Sequence, residues 1–131
     1  MSPINELYDY IFDKCEEFGF DTYDHLPLKT ENAQYPFVIV GEQQTTPTAT
    51  KTGVGSSLYV TVHVWGSRRQ RQQVDEIASK IETIAYNPAF RTEHYAFSGR
   101  PGFVDDQRMI DDSVANTILW HQILTLSFVL R

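Results

Sequence analysis

The chain contains residue types that bind metals or act as nucleophiles, but they do not stand at the spacing that such chemistry needs. Its four histidines are tens of residues apart, with no helical i, i+4 pair and no neighbouring cysteine pair, so no zinc signature is present. There is no G-x-S-x-G elbow and no local Cys-His arrangement for nucleophilic catalysis. We expect no metal ligand and interpret the histidines as ordinary packed or exposed side chains; they are His25, His63, His94 and His121.

Paired carboxylates occur at Asp105-Asp106 and at Asp111-Asp112. Adjacent residues of a strand point to opposite faces, so each doublet is better explained as a solvated turn or edge than as an acid and base pair. Gly53-Val54-Gly55 precedes an apolar strand pattern and lacks the lysine and hydroxyl of a phosphate-binding loop. The sequence therefore predicts no catalytic residue, no cofactor and no enzyme activity.

Cys15 is the single cysteine, so it cannot form a disulfide within the chain. It stands among Ile11, Phe12 and Phe18, which predicts a buried thiol that packs as a small hydrophobic side chain.

Charge is spread unevenly along this chain, whose net charge is −6. The segment up to residue 31 carries eight acidic and two basic residues, whereas residues 43–74 contain no acid. Such opposite patches can steer copies of one protein together head to tail, although solvated surface charge explains them equally well. The residues in question are Glu6, Asp9 and Asp13 in the acidic segment, and Lys51, Arg68, Arg69 and Arg71 in the basic one.

The length of 131 residues and the hydrophobic fraction of 41% are typical of one globular domain, which we predict to span residues 1–131. No apolar stretch approaches the ~20 residues of a membrane helix, and the first residues lack the basic and apolar regions of a signal peptide. We therefore expect no membrane partner and a cytoplasmic site of synthesis and residence.

The N-terminal segment predicts an amphipathic helix. Ser2-Pro3 is a helix start, because the hydroxyl caps free amides and proline is tolerated at the first helical position. Apolar residues then recur at three- and four-residue steps with acids on the opposite face, and Gly19 ends the helix. Residues 20–34 show no sustained period and are interpreted as a surface connector.

The middle of the chain predicts a β-hairpin. Tyr35-Pro36 opens an inner strand over residues 37–42, and residues 56–65 alternate between apolar and polar side chains as a paired strand does. The Gln-, Thr-, Pro- and Gly-rich residues 43–55 between them predict a long mobile loop.

Gly66-Ser67 predicts the cap of a second amphipathic helix, which Asn87-Pro88 ends. Three arginines would then lie in its first turns, an unfavourable place in the helix dipole that an external acidic partner would relieve. Weaker patterns predict strands at residues 93–97 and 103–109, and residues 118–130 predict a long last strand with one apolar face. The predicted fold is α+β, with two amphipathic helices on one face of a mixed, mostly antiparallel sheet of about five strands and a long β-hairpin loop.

One larger pattern is more specific than any of these motifs. It comprises Tyr35-Pro36-Phe37-Val38 continuing to Gly41-Glu42, a polar loop with Thr50-Lys51, the strand end Thr61-Val62-His63-Val64-Trp65-Gly66, and the arginine-led helix. It resembles the small tail-component family of long-tailed bacteriophages and is similar to their tail-terminator and tail-completion (head-tail joining) proteins. The resemblance covers most of the chain and is best from Leu26 to Ala85.

The resemblance implies a non-enzymatic virion protein that caps the head-proximal end of the tail tube and joins tail to head, commonly as a six-fold ring. The implied partners are other copies of the chain, the tail tube protein and the head-tail connector proteins, with DNA passing through the lumen and no sequence-specific nucleic-acid binding. The implied location is the host cytoplasm during assembly and then the tail or neck of the virion.

For such a ring we expect Arg68, Arg69 and Arg71 to contact the acids of a neighbour's first helix, and the loop with Thr50 and Lys51 to reach a partner or the lumen. One alternative is a portal-side adaptor or stopper protein. Another, from a different class, is a small nucleic-acid-binding or regulatory module that would use the basic cluster, although the net negative charge opposes binding to a phosphate backbone.

Overall fold

A computed structural model describes residues 1–49, 51–113 and 117–131, without the side chain of Lys29. Within these residues it confirms the α+β class, and its seven strands are slightly more than the five predicted. No helix in this part of the chain is long and apolar enough to cross a membrane. The elements are α1 (Pro3–Glu17), β1 (Thr22–Tyr23), β2 (Phe37–Thr46), β3 (Ser57–Ser67), α2 (Arg71–Glu82), β4 (Phe90–Arg91), β5 (Ala96–Gly99), β6 (Asp105–Asp111) and β7 (Leu119–Leu130).

Helix α1 begins and ends where its sequence predicts. The Ser2 hydroxyl accepts a hydrogen bond from the Asn5 amide at 3.3 Å, and proline occupies the first helical position. Gly19 follows the last turn at φ +90°, a left-handed conformation that favours glycine. Cys15 is buried in the core face of this helix, as predicted.

The β2–β3 hairpin is confirmed, but its strands are longer and its loop is shorter than predicted. The polar residues 43–46 continue β2 after a bulge that follows Val40, and they pair with residues 57–60 of β3. Their strand conformation comes from pairing with β3 rather than from apolar alternation of their own, which is why a loop was predicted there. The connector before β2 likewise contains the short β1 and one turn of 3-10 helix at Lys29–Glu31.

The last strand in sequence, β7, lies at the centre of the sheet. It pairs along its full length with β3 on one side, and its other side is shared by β6 near its start and β5 near its end. The strand order is β1-β2-β3-β7-β5-β4, with β6 beside β7, and only the β1–β2 pair is parallel. The sheet is therefore mixed and mostly antiparallel, as predicted.

Both helices pack on one face of the sheet, as predicted. Val38 and Val40 of β2 and the even-numbered apolar residues of β3 and β7 point to this face and form the core with one stripe from each helix. Among the fully buried residues are Leu7, Ile11, Val60, Val62, Ala78, Ile81, Leu126 and Phe128. The opposite face carries the odd-numbered residues of β3 and β7, and no helix of the described residues packs over it.

The connection from β3 to α2 differs from the predicted one. Strand β3 continues through Ser67, and α2 begins at Arg71, so Gly66-Ser67 is not the helix cap. A side chain at Gly66 would clash with that of Val74, so the glycine lets the first turn of α2 lie directly on β3. The helix passes into a 3-10 turn at Thr83–Tyr86 and ends at Asn87, which confirms the predicted stop.

The C-terminal strands are shifted from their predicted bounds. The strand expected at residues 93–97 is the β4–β5 hairpin, and the strand expected at residues 103–109 begins at Asp105 after one 3-10 turn at Pro101–Phe103. Pairing with β7 sets the bounds of β5 and β6, and the local residue pattern does not reveal this pairing.

Candidate assembly surfaces

The first surface is the turn between β3 and α2, which we call the arginine turn and define as Arg68, Arg69 and Arg71. Arg68 and Arg69 precede the helix and only Arg71 lies in it, so the expected clash of three arginines with the helix dipole is limited to one. All three side chains are exposed. Within the described parts of the chain, none of them pairs with a carboxylate.

The backbone of the arginine turn is held firmly by its surroundings. The Trp120 indole N–H donates to the Arg68 carbonyl at 2.8 Å, and the Ser67 amide donates to the Gln70 side-chain oxygen at 2.9 Å. The Gln70 amide group also donates to the Tyr35 carbonyl at 3.2 Å. The turn is therefore a fixed platform whose guanidinium groups point to solvent.

The second surface is the solvent face of α1, where Asp9 and Asp13 are exposed. Four residues apart on a helix, they lie on adjacent turns of the same face and present two carboxylates together. Neither forms an ion pair within the described residues. Both the arginine turn and this acidic face are thus available to a partner.

Glu6 stands apart from these two acids because its side chain is buried. Its carboxylate accepts hydrogen bonds from the Thr92 hydroxyl at 2.7 Å, from the His94 amide at 3.0 Å and from the His94 ring at 2.7 Å. Burial alone would raise the pKa of Glu6, but these hydrogen bonds outweigh burial and lower the pKa to about 2. Glu6 therefore joins α1 to residues 92–94 and is not on the surface where the sequence placed it.

The loop between β2 and β3 also includes predicted contact residues. Lys51 is exposed in this loop, whereas Thr50 lies outside the described residues. After Lys51 the loop is attached to the end of the sheet, since the Gly55 amide donates to the Leu130 carbonyl at 2.7 Å.

A histidine pair on the helix-free face was not predicted as a unit. His63 and His121 are joined by a ring-to-ring hydrogen bond of 2.8 Å, the Glu42 carboxylate bonds His63 at 2.6 Å, and the Trp65 ring stacks on His121 at 3.7 Å. Burial, followed by the neighbouring His63, lowers the pKa of His121 to about 4. The pair is 58 residues apart in sequence, so only the register of β3 against β7 reveals it.

An apolar groove also opens at the end of the sheet where β2 begins and was not predicted from the sequence. It has a volume of about 510 Å³ and is lined mainly by apolar and aromatic side chains. Its walls include Leu26, Leu28, Tyr35, Phe37, Trp65 and Leu119, and Asp111 lies at its rim.

In the part of the chain that the structure describes, the residue types that suggested chemistry are not assembled into a reactive site. Burial, together with the nearby Glu16, raises the pKa of Cys15 to about 12, which keeps the thiol protonated and unreactive. Within the described residues no group of three or more His, Cys, Asp and Glu side chains could hold a metal ion. Asp105-Asp106 lies at the start of β6, and Asp111-Asp112 spans the last residue of this strand and the residue after it.

An α+β domain that presents an arginine turn, an acidic helix face and an open apolar groove has the features of a subunit that works by contact with other proteins. The sequence model of the family described as "Tail completion protein gp17" matches residues 18–89, more than half of the chain, and the chain belongs to this family. It is a structural protein of the phage tail and not an enzyme.

One relative is the tail completion protein gp17 of Bacillus phage SPP1, which is 33% identical over 54 residues. The aligned segment covers 41% of this chain and 40% of the relative, so the chain matches less than half of that protein's length.

Proposed function

We propose that this chain caps the head-proximal end of the phage tail tube and joins the tail to the head, as a ring of identical subunits. Membership in the tail completion family supports the tail role. The arginine turn carries the ring proposal, because it is a rigid, exposed and unpaired cationic platform on a protein of net charge −6. We further propose that residues 1–131 act as a single tail-terminator-like domain, since both helices and the sheet share one core.

The ring contact would be heterologous, with the arginine turn of one subunit against the acidic α1 face of the next. A closed ring needs two different surfaces on each subunit, and the two lie on separate elements here. Exposed ion pairs contribute only about 0.2–1 kcal/mol each, so the charges would serve mainly to steer and orient subunits whose affinity comes from other contacts.

The other partners would be the tail tube protein below the ring and the connector proteins of the head above it. The loop with the exposed Lys51 joins the ends of β2 and β3 and would reach one of these proteins or the lumen. The protein would assemble in the host cytoplasm and end in the tail or neck of the virion. A portal-side adaptor is the competing assignment, and the position of the protein in separated heads and tails distinguishes the two.

Charge reversal tests the ring contact. In the phage that encodes this chain, the double change Arg68→Glu and Arg69→Glu should reduce joined particles by about tenfold or more, because two weak pairs per contact become repulsive. Electron microscopy would count joined particles and free tails. The opposite double change, Asp9→Arg and Asp13→Arg, should restore joining when combined with the first.

Arg91→Glu serves as the control, since Arg91 is an exposed arginine on β4 outside both surfaces. If the double arginine variant gave normal joined particles, the proposed ring contact would be wrong.

Gold-labelled antibody shows where the protein lies in separated heads and tails. Label on the head-proximal tips of free tails would support the terminator, and label left on heads would favour the adaptor.

A further inference from the structure

The apolar groove is an open site that the proposed charge contact leaves unoccupied. Leu26 and Leu28 are each 67% exposed on its wall, and Tyr35 is 40% exposed beside them. Its volume of about 510 Å³ is within the range of about 300–1,000 Å³ that is usual for binding pockets. Clustered exposed apolar side chains of this kind mark a contact with another molecule.

The same chain presents a matching projection, which we call the knuckle and define as Arg100–Phe103. Phe103 is 61% exposed at the end of the 3-10 turn Pro101–Phe103, and the Arg100 guanidinium stacks on its ring at 3.8 Å. Arg100 also donates to the Ser57 hydroxyl at 3.1 Å, which fixes its position. Arginine and aromatic side chains, including phenylalanine, are enriched at protein interfaces.

The knuckle cannot fill the groove of its own subunit. The knuckle precedes β6 and the groove rim residue Asp111 ends it, so the two sites are separated by a seven-residue strand. At about 3.3 Å per residue this strand is roughly 23 Å long. Contact between knuckle and groove must therefore be made between two copies, head to tail.

One pair of charges is complementary between the two sites, Arg100 of the knuckle and Asp111 of the groove, and the arginine turn lies on the other side of the groove wall beside Tyr35. Arg100 forms no ion pair within the described residues, and the exposed Lys51 and Arg131 belong to the same end of the sheet, where β7 finishes. The groove rim offers Asp111, of which one oxygen accepts from the Ser113 amide, and the exposed Asp112 follows it. A phenylalanine buries about 150–250 Å² when covered, which would supply the apolar affinity that surface ion pairs lack.

We propose that the occupant of the apolar groove is the knuckle of a second copy of this chain, with Phe103 between Leu28 and Trp65 and Arg100 against Asp111. This contact rests on the proposed ring and names the surfaces that hold it together. It leaves the arginine turn to orient subunits and assigns their cohesion to the knuckle and groove.

Cysteine cross-linking in assembled particles tests the contact directly. The double variant Leu28→Cys and Phe103→Cys should give a ladder of disulfide-linked oligomers on mild oxidation, ending at the full ring. Each single variant should give no ladder, because the native Cys15 is buried and the chain has no other cysteine. Both altered side chains are largely exposed, so folding should be retained, and circular dichroism of the purified variants checks this.

Failure of this contact is distinguishable from failure of the tail role. Incorporation of the double variant into tails without a ladder would overturn the knuckle contact and leave the tail role standing. A cross-link from Leu28→Cys alone to a different protein would assign the groove to that protein instead. Absence of the wild-type protein from tails would overturn the proposed function itself.

Discussion

The carboxylate of Glu6 connects helix α1 to Thr92 and His94, which lie 86 and 88 residues further along the chain. It is charged in the folded protein down to a pKa of about 2, because Thr92 and His94 donate to it. A lowered pKa stabilises the folded state fully above the unfolded pKa of about 4.5, and this contribution disappears as pH falls from there toward 2.

Glu6→Gln should therefore lower the urea midpoint at pH 7, and the difference from wild type should shrink toward zero as pH falls from 4.5 to about 2. Glutamine keeps the shape but lacks the charge that draws three donors to one group. Urea titrations at several pH values measure the difference. As a control, Glu16→Gln on the exposed side of the same helix should change the urea midpoint little at any pH. A difference in midpoint between Glu6→Gln and wild type that did not vary with pH would contradict the lowered pKa of Glu6.

Residue types alone predict little about these side chains. The burial of Cys15 was predictable because its apolar neighbours are local in sequence. The environment of Glu6 was not predictable, because its partners on residues 92–94 reach it only through the tertiary fold. The same holds for His63 and His121, whose contact depends on the register of β3 against β7.

At the scale of elements, close approaches of backbone are set by two glycines. Gly66 allows α2 to lie on β3, and Gly99 allows β5 to lie against residues 85–87, which follow α2. A side chain at Gly99 would meet the backbone of Ala85 and Asn87, and the Gly99 amide donates to the Asn87 carbonyl at 2.7 Å. Backbone cannot move aside as a flexible side chain can.

Gly99→Ala should destabilise the protein by about 1–3 kcal/mol or more, because a methyl group has no space between these backbones. Gly102→Ala is a matched control three residues away, where an added methyl group meets nothing within 4 Å. Equilibrium urea unfolding compares the two variants. Equal stabilities would show that β5 and residues 85–87 can move apart more easily than the structure indicates.

Elements were predictable where their own residues carry the pattern. Helix α1 has its cap, stripe and terminal glycine, and β3 alternates along its whole length. The end of β2 was predicted as loop because Gln43–Thr46 is polar and becomes strand only by pairing with β3. The arginine turn was predicted as helix because Gly66-Ser67 is a common cap sequence. In the structure, β3 continues through Gly66 and Ser67, which pair with β7.

At the scale of the whole molecule, the β2–β3 loop extends from the end of the sheet that also carries the knuckle. In the free protein we expect trypsin to cut after Lys51, which is exposed. In assembled tails this cut should be slowed at least about tenfold if the loop docks on a partner, because cleavage requires an accessible segment. Mass spectrometry of timed digests identifies the site, and Lys51→Gln should abolish that product. Equal rates in free protein and tails would leave the loop without a docking role.

The α+β class was predictable because two amphipathic helices and alternating strands have few ways to bury their apolar faces. The assembly surfaces were predictable only in part. Charge runs indicated the arginine turn and Asp9 and Asp13, whereas the groove combines residues from four separate segments and has no local signature.

The central position of β7 has a consequence for how this protein is made. A ribosome synthesises β7 after the strands that pair with it, so β3, β5 and β6 have no shared partner until residues 119–130 have emerged. Until then the nascent chain is a hairpin with an open edge, and such edges pair readily with other chains. Folding of the sheet is therefore a late and collective event, and we expect fragments that end before residue 119 to keep this open edge and to aggregate.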